Sequence, residues 1–530
     1  SVSMTGGSIG LSTGRLILGN TVTATSNSNS AALMSGNIDL GIAGRTFTVN
    51  PGLGSAVADL DITGSIAGNN LGLTKAGVGV MRLSGVSTYT GATTVNAGSL
   101  VLLSGGALSP NSAVTLGNSM SGTVNPTFDV SGASSPSIGS LSGGAVGLFV
   151  AGVVRIGSST LTIGTDETNP VAFSGAMVGG SGGITKTGSG GLILGNANFA
   201  NAWTGPTVVN QGVLGISGAN ALPFTTPVTV NSGGTLFVAS SQTLASLQVN
   251  PGGTVNGSGS TLSVGRDNAN TSIDGFLQGL ATFLLNKVGT GDLAITGNQN
   301  LFAGTMQANQ GRLILSGDGT IASVSAATLV GNNGGTIRLD NSGTNLADRL
   351  AATATVTLAG GTLDLVGKDG AASGEQVGAL TLNVGASTLN VVNGAGAGSS
   401  SVLTFNGAIT RTAGTLNITS SGAGVLGASG NAPRVLFLGA TNNSVLPGVV
   451  VGGGSVAFYD QVLGVRALPL SEQSVFNGDA NQSALPNYGL KFTSSSSSQT
   501  LTAPRSIGAL TVEGPGSGKW IELGSGRTSG

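Results

Sequence analysis

Residues 75–103 read KAGVGVMRLSGVSTYTGATTVNAGSLVLL, and the same phrase returns at residues 186–216 and 287–315. Each copy opens on a lysine in a glycine-rich turn and later reaches a glycine preceded by threonine or alanine. Seven residues after that glycine comes another, always in an Asn-x-Gly triplet. The paired glycines are Gly91 and Gly98, Gly205 and Gly212, and Gly304 and Gly311. Because the spacing is kept while many residues change, we interpret the phrase as a repeated backbone shape.

A shorter turn signal repeats between these copies. Residues 231–236 read NSGGTL, and residues 250–255, 19 positions later, read NPGGTV. Gly-Gly-Thr recurs at 334–336 and 360–362, and short runs that alternate aliphatic residues with Thr, Ser or Asn separate these turns. A unit of roughly 19 to 26 residues with two or three short strands is typical of one coil of a solenoid. The sequence therefore predicts an all-β, parallel β-solenoid that forms an elongated rod.

Composition supports one elongated architecture. The chain has 530 residues, of which 94 are glycine, 7% are charged and 4% are aromatic, and its mean hydropathy is +0.33. A disordered chain of this glycine content would be poorer in aliphatic residues. An array of β-sandwich domains is the alternative, but it needs large core aromatics and clear linkers. Helical spacing occurs only between Ile273 and Leu284, where Gly275 and Gly279 weaken it.

Residue counts exclude several functions. The net charge of -1 gives no basic surface for nucleic acid, and the absence of Cys excludes disulfides and thiolate metal sites. The absence of His excludes Ser-His-Asp triads and HExxH zinc sites. The longest apolar run, residues 143–154, is too short for a membrane-spanning helix. No signal peptide follows Ser1, so we expect the chain to be an internal or processed piece of a longer protein.

The first copy of the phrase closely resembles the autotransporter-associated β-strand repeat. The resemblance rests on residues 73–79, 83–85 and 88–100, and it weakens in the second copy, where Trp203 replaces Tyr89, and in the third, where Phe302 does. The family occurs in passenger regions of bacterial autotransporters and in very large bacterial surface proteins. It implies a right-handed parallel β-helix outside the cell and does not imply one activity.

Clustered acids could mark a polysaccharide-cleaving site of the kind that some β-helices carry. The best pair is Asp59 and Asp61, which we interpret as two solvated residues at a corner. The pairs at 166–167 and 348–349 are interpreted as loop residues. We therefore predict no catalytic residue.

Three further features could bind a ligand. Residues 265–275 hold oxygen donors but match no calcium motif, and residues 514–520 imitate a phosphate loop with Trp520 in place of the Ser or Thr that binds Mg²⁺. The first is interpreted as a polar loop and the second as a turn. The lysines of the phrase could form a row for an anionic glycan, but we interpret them as exposed, solubilising residues, and the aromatic residues as packing over a coil edge. No cofactor-binding or metal-binding residue is predicted.

The repeat and its interruptions suggest six segments. They are coils leading into the first repeat (1–70), three repeat cassettes (71–181, 182–283 and 284–439), an irregular loop-rich insertion (440–500) and resumed coils (501–530). We expect a non-enzymatic fibre, stalk or spacer of a bacterial surface protein, with self-association through strand edges. The alternative is an adhesin that presents loops to a glycan or host surface, and a polysaccharide-cleaving enzyme is the weakest candidate.

Overall fold

The fold is taken from a computed structural model. It describes residues 1–468 except 55, 118–123, 145–151, 170, 196–200, 300 and 322–327, together with the backbone of five short strands beyond residue 468. The chain divides into two compact units, Ser1–Leu293 and Ala294–Gly530. Strand Asp292–Ile295 contains the boundary. In the described part of the chain, no helix has the length and hydropathy that a membrane crossing requires.

Sheet 1 of the first unit has thirteen parallel strands. In pairing order they are Val2–Thr5, Val22–Thr25, Arg45–Asn50, Leu73–Ala76, Thr93–Val95, Val114–Leu116, Leu141–Gly143, Val171–Phe173, Gly191–Leu194, Gly212–Ile216, Gly234–Val238, Thr254–Gly257 and Phe276–Gly279.

Three further parallel sheets complete the coils of this unit. Sheet 2 contains Ser8–Ile17, Ala32–Asp39, Leu60–Ile62, Ile66–Ala67, Val80–Leu83, Ser99–Leu102, Thr127–Asp129, Val153–Gly157 and Ala176–Gly179. Sheet 3 contributes Ser137–Ile138, Leu161–Ile163, Ile184–Lys186, Thr207–Val209, Pro227–Val230, Ser246–Val249 and Thr271–Ile273, and sheet 4 contributes Gln242–Thr243, Thr261–Val264 and Leu284–Lys287.

The second unit is also built from parallel coils. Its longest sheet contains Arg312–Leu315, Thr336–Asp340, Thr362–Val366, Ala386–Asn393, Thr415–Gly422, Ser444–Val451, Ser455–Asp460 and Gly464–Ala467. A second sheet contains Thr305–Ala308, Thr328–Asn332, Thr355–Ala359, Leu380–Leu382 and Thr410–Arg411. A third sheet contains Ala372–Val377, Ser400–Phe405 and Arg434–Phe437. The short strands beyond residue 468 are Ser474–Val475, Gly489–Phe492, Ser498–Leu501, Ala509–Val512 and Trp520–Leu523.

The predicted parallel β-solenoid is confirmed. Successive strands in a sheet belong to successive coils, as where Thr235 pairs with Thr254. Up to residue 468, coils run from those 19 residues to the 33 residues that separate Leu416 from Val449, longer than predicted because extra residues lie at the corners. Aliphatic side chains at alternate strand positions fill the interior, as Leu236 and Val238 do. One coil is too thin to bury these side chains by itself, so they are buried only when neighbouring coils stack.

Two stretches differ from simple coils. The helical spacing between Ile273 and Leu284 comes from strand ends and corners, and strand Phe276–Gly279 occupies its middle. Strand Ser455–Asp460 pairs antiparallel with Ser444–Val451 on one side and with Gly464–Ala467 on the other. Val445, Phe458 and Leu468 form a small core beneath them.

Candidate functional site

The lysines of the repeated phrase are buried, which corrects the prediction that they are exposed at corners. Lys75, Lys186 and Lys287 are 0%, 1% and 1% exposed. The signal was present in the sequence, because Lys75 follows inward-facing Leu73 by two positions in its strand and therefore points to the same side. Residue type alone suggests an exposed lysine, but lysine can be buried where its ammonium group is hydrogen-bonded.

Backbone carbonyl oxygens surround each ammonium group. Lys75 Nζ donates to the carbonyl oxygens of Ala76 at 3.0 Å, Gly77 at 2.7 Å and Ala97 at 3.0 Å. Ala97 is the middle residue of the Asn-x-Gly triplet one coil later. Lys186 makes the equivalent contacts to Thr187, Gly188 and Gln211. The lysine thus connects the corner of its own coil to the corresponding corner of the next coil by hydrogen bonds.

Burial lowers the pKa of all three lysines. It lowers the pKa of Lys75 to about 8, and the negative charge of Asp59 opposes the shift. For Lys186 the pKa falls for the same reason, opposed by Asp166. The three strands that carry the lysines lie in sheets 1, 3 and 4. They therefore form no row of positive charge for an anionic glycan.

The aromatic residue of each phrase is buried, as expected for packing over a coil edge. The Tyr89 hydroxyl lies 2.7 Å from the Thr93 hydroxyl, which lies 2.8 Å from that of Ser112 in the next coil. Ser112 then donates to the carbonyl oxygen of Gly91. In the second copy Trp203 Nε1 donates to Thr207, which contacts Thr226, and Thr226 donates to Gly205.

In the third copy, apolar residues occupy two positions of this polar chain. Phe302 stands at the aromatic position and Met306 at the position of Thr93, and both are buried. Phenylalanine has no hydroxyl to satisfy, so an apolar neighbour suits it. The aromatic position therefore serves packing in all three copies.

Contrary to our interpretation of Asp59 and Asp61 as two solvated residues, Asp59 is buried and Asp61 is partly buried. Asp59 is 6% exposed and accepts hydrogen bonds from Ser26 Oγ at 2.5 Å and from the Val80 backbone N–H at 2.9 Å. Asp61 forms a bidentate ion pair with Arg82. Both carboxylates join neighbouring coils.

Arg349 lies in a loop, as expected, but its side chain is fully buried. Its guanidinium donates to Asn341 Oδ1 at 2.7 Å and to the carbonyl oxygens of Gly319 and Thr344 at 2.8 Å. Sequence reasoning missed Glu375, which accepts the backbone N–H groups of Arg349 and Leu350. Its inward position could have been read from the alternation with Val377.

Burial also changes the titration of Glu375. It raises the pKa of this carboxyl to about 8, against the lowering effect of the two backbone donors.

Residues 265–270 form a polar loop that leads into strand Thr271–Ile273, and its side-chain oxygen atoms accept hydrogen bonds from the next coil. Asn268 Oδ1 accepts the Thr290 backbone N–H, and Asn270 Oδ1 accepts that of Asp292. Asp274 accepts Ser272 Oγ at 2.7 Å. Residues 514–519 of the loop that imitates a phosphate-binding turn lie outside the described residues. At 166–167, Asp166 accepts the Thr168 backbone N–H, as expected for a loop.

Three stretches, residues 73–102, 184–216 and 285–315, match the sequence model of the passenger-associated-transport-repeat family. The chain carries three passenger-associated-transport repeats. Each repeat covers the buried lysine, the aromatic residue and the Asn-x-Gly triplet, so the resemblance expected from sequence is confirmed.

A relative that is an autotransporter supports the same assignment. The chain is 33% identical over 175 residues to the adhesin BmaC autotransporter of Brucella suis biovar 1 (strain 1330). The match covers 32% of this chain and 5% of that protein. No solved structure is significantly similar. The passenger-associated-transport repeats and this relative identify a secreted protein of the bacterial cell surface.

Proposed function

We propose that the chain is a spacer segment of a secreted surface protein, in which the number of stacked coils sets a distance. The observation that carries this proposal is the tie between coils. In each of the first two passenger-associated-transport repeats, a buried lysine and a hydrogen-bonded aromatic residue connect one coil to the next. Such contacts resist sliding and separation of coils. Because parallel strands lie about 4.8 Å apart, each coil adds about that length.

A non-enzymatic role is part of the proposal. The carboxylates that could have formed a catalytic pair are engaged in coil-to-coil contacts, Asp59 with Ser26 and Val80 and Asp61 with Arg82. A glycosidase needs two carboxyl groups facing one substrate.

The spacer proposal can be tested by changing the coil number. The chain contains no Cys, so spin labels can be placed at Thr23→Cys and Gln278→Cys, both in sheet 1 of the first unit. Deleting residues 235–253, one complete coil, should shorten the distance between the labels by about 5 Å. An unchanged distance, measured by pulsed electron paramagnetic resonance, would contradict the spacer role.

Adhesion is the second candidate, favoured by the similarity to a protein named as an adhesin. Beads coated with the purified chain should then attach to host cells, and soluble chain should compete with them. A pure spacer predicts no attachment above that of uncoated beads. The two candidates therefore give opposite results in the same assay.

A further inference from the structure

The outer face of sheet 1 differs from the face of its neighbour. The strands of sheet 1, all of which are described, contain two charged residues, Arg45 and Lys75, and both are buried. The outer face of sheet 2 instead carries ion pairs such as Arg15 with Asp39 and Arg82 with Asp61. One side of the first unit is therefore uncharged.

Five strands of this side combine rings with amides and hydroxyls. We call their outer surface the neutral face, formed by Gly191–Leu194, Gly212–Ile216, Gly234–Val238, Thr254–Gly257 and Phe276–Gly279. Strand register places its outward residues in two rows across the coils. One row is Val213, Thr235, Thr254 and Phe276, and the other is Ile193, Gly215, Phe237, Asn256 and Gln278.

The rings and amides of the neutral face are available to a ligand. Phe276 is 51% exposed and Phe237 is half-buried. Their strands are two strand spacings apart, about 10 Å. In the second row, Asn256 lies between Phe237 and Gln278. Among the described residues, the side-chain amides of Asn256 and Gln278 have no hydrogen-bonding partner. Each amide therefore has two N–H donors and one carbonyl acceptor to offer.

We propose that the neutral face binds an uncharged polysaccharide. The C–H surface of a sugar ring packs on the Phe237 and Phe276 rings, and sugar hydroxyls pair with the amides of Asn256 and Gln278 and the hydroxyls of Thr235 and Thr254. Because the face lacks charge, it offers nothing to offset the desolvation of an acidic polymer.

A second copy of the chain is a poorer occupant for this face. Packing two such faces together would bury the hydroxyls of Thr235 and Thr254 and the amides of Asn256 and Gln278. Buried polar groups without partners cost free energy, so each of these hydroxyls and amides would have to meet a partner across a flat interface. A polysaccharide carries hydroxyl groups along its whole length.

This inference names the ligand class for the adhesion candidate and is independent of the spacer role. The distance measurement on coil deletion is unaffected by polysaccharide binding, so the two can fail separately.

The test is calorimetric titration of the purified chain with dextran, laminarin and galactomannan. We expect binding to at least one of them and at least about tenfold weaker binding by the double variant Phe237→Ala/Phe276→Ala. Asn256→Ala/Gln278→Ala should also weaken binding while leaving both rings in place. The matched control is Phe224→Ala, because Phe224 is 54% exposed but lies on a loop beneath the Arg266 guanidinium, and it should bind as the wild type does.

Four results would overturn the proposal. They are binding to none of the three polymers, equal binding by the Phe237→Ala/Phe276→Ala variant, equally strong binding of polygalacturonate, and a dimer in light scattering that Phe276→Ala abolishes. The last result would assign the face to a second copy. Circular dichroism of each variant confirms that the coils are intact.

Discussion

At the scale of single residues, the chain uses a few buried polar side chains to connect coils. Lys75 satisfies three carbonyl oxygens at once, two in its own corner and one in the next. The corner groups lie where backbone turns away from the sheet and cannot all join the ladder. A long flexible cation reaches them from inside the coil, where water does not compete.

Replacing Lys75 with methionine tests this role. The Lys75→Met variant keeps the apolar stem and removes the donor, so the three carbonyl oxygens lose a partner and the free energy of unfolding falls by about 1–3 kcal/mol. The control is Arg15→Met, which removes a surface ion pair and should cost less than about 1 kcal/mol. Equal losses of unfolding free energy in guanidinium denaturation would show that the buried ammonium group contributes no more to stability than the surface ion pair does.

The pH dependence of stability tests the burial of Glu375. The folded chain holds a proton on Glu375 up to a pKa of about 8, whereas the unfolded chain releases it near 4.5. Between these values the folded state binds more protons, so the contribution of Glu375 to stability falls as pH rises. The free energy of unfolding of the wild type, relative to Glu375→Gln, should therefore decrease from pH 4.5 to pH 8. Parallel pH profiles would contradict this result.

At the scale of elements, glycine corners decide where strands end. Gly98 has a φ of 64°, and a Cβ there would come within 2.4 Å of the Gly79 carbonyl oxygen. Gly7 has a φ of 72° but open space around its Cβ position. The two positions separate the cost of positive φ from the cost of crowding between coils.

Alanine at the two positions should therefore behave differently. We expect Gly7→Ala to cost about 1 kcal/mol from backbone strain. Gly98→Ala adds a clash with the preceding corner and should cost about 3 kcal/mol. Thermal unfolding of both variants measures the difference, and similar melting temperatures would mean that the corners can separate without penalty.

The strands and corners could be predicted from sequence, because period-two alternation and Asn-Gly spacing act locally. The fate of polar side chains could not be predicted as well. Residue type alone places Lys75 and Asp59 in solvent, yet each has partners 20 or more residues away. Those partners become neighbours only when coils stack in a particular register. The neutral face likewise depends on register between five strands.

At the scale of the whole molecule, coil stacking in register should make complete coils removable. Deleting residues 235–253 joins Gly234 to Thr254. The corner keeps its sequence Asn-Ser-Gly-Gly-Thr, because Thr254 takes the place of Thr235. We expect this variant to fold with a melting temperature within a few degrees of the wild type. The two interfaces of the deleted coil are lost, but the coils on either side of it then form an equivalent interface with each other.

The matched control deletes one residue fewer, 235–252. It inserts an extra glycine into the corner and moves the first strand after the junction by one position relative to its neighbour. A one-residue slip turns inward side chains outward, so this variant should melt lower or aggregate. Equal melting of both deletions would show that coil register carries little energy.

The placement of the lysine strands in sheets 1, 3 and 4 limits how the repeats can cooperate. Binding sites gain avidity only when geometry lets them engage one target together. Strands in different sheets of a coil face different directions, so a flat target could meet one copy of this element at a time. The three copies therefore could not act together as binding sites on one flat target.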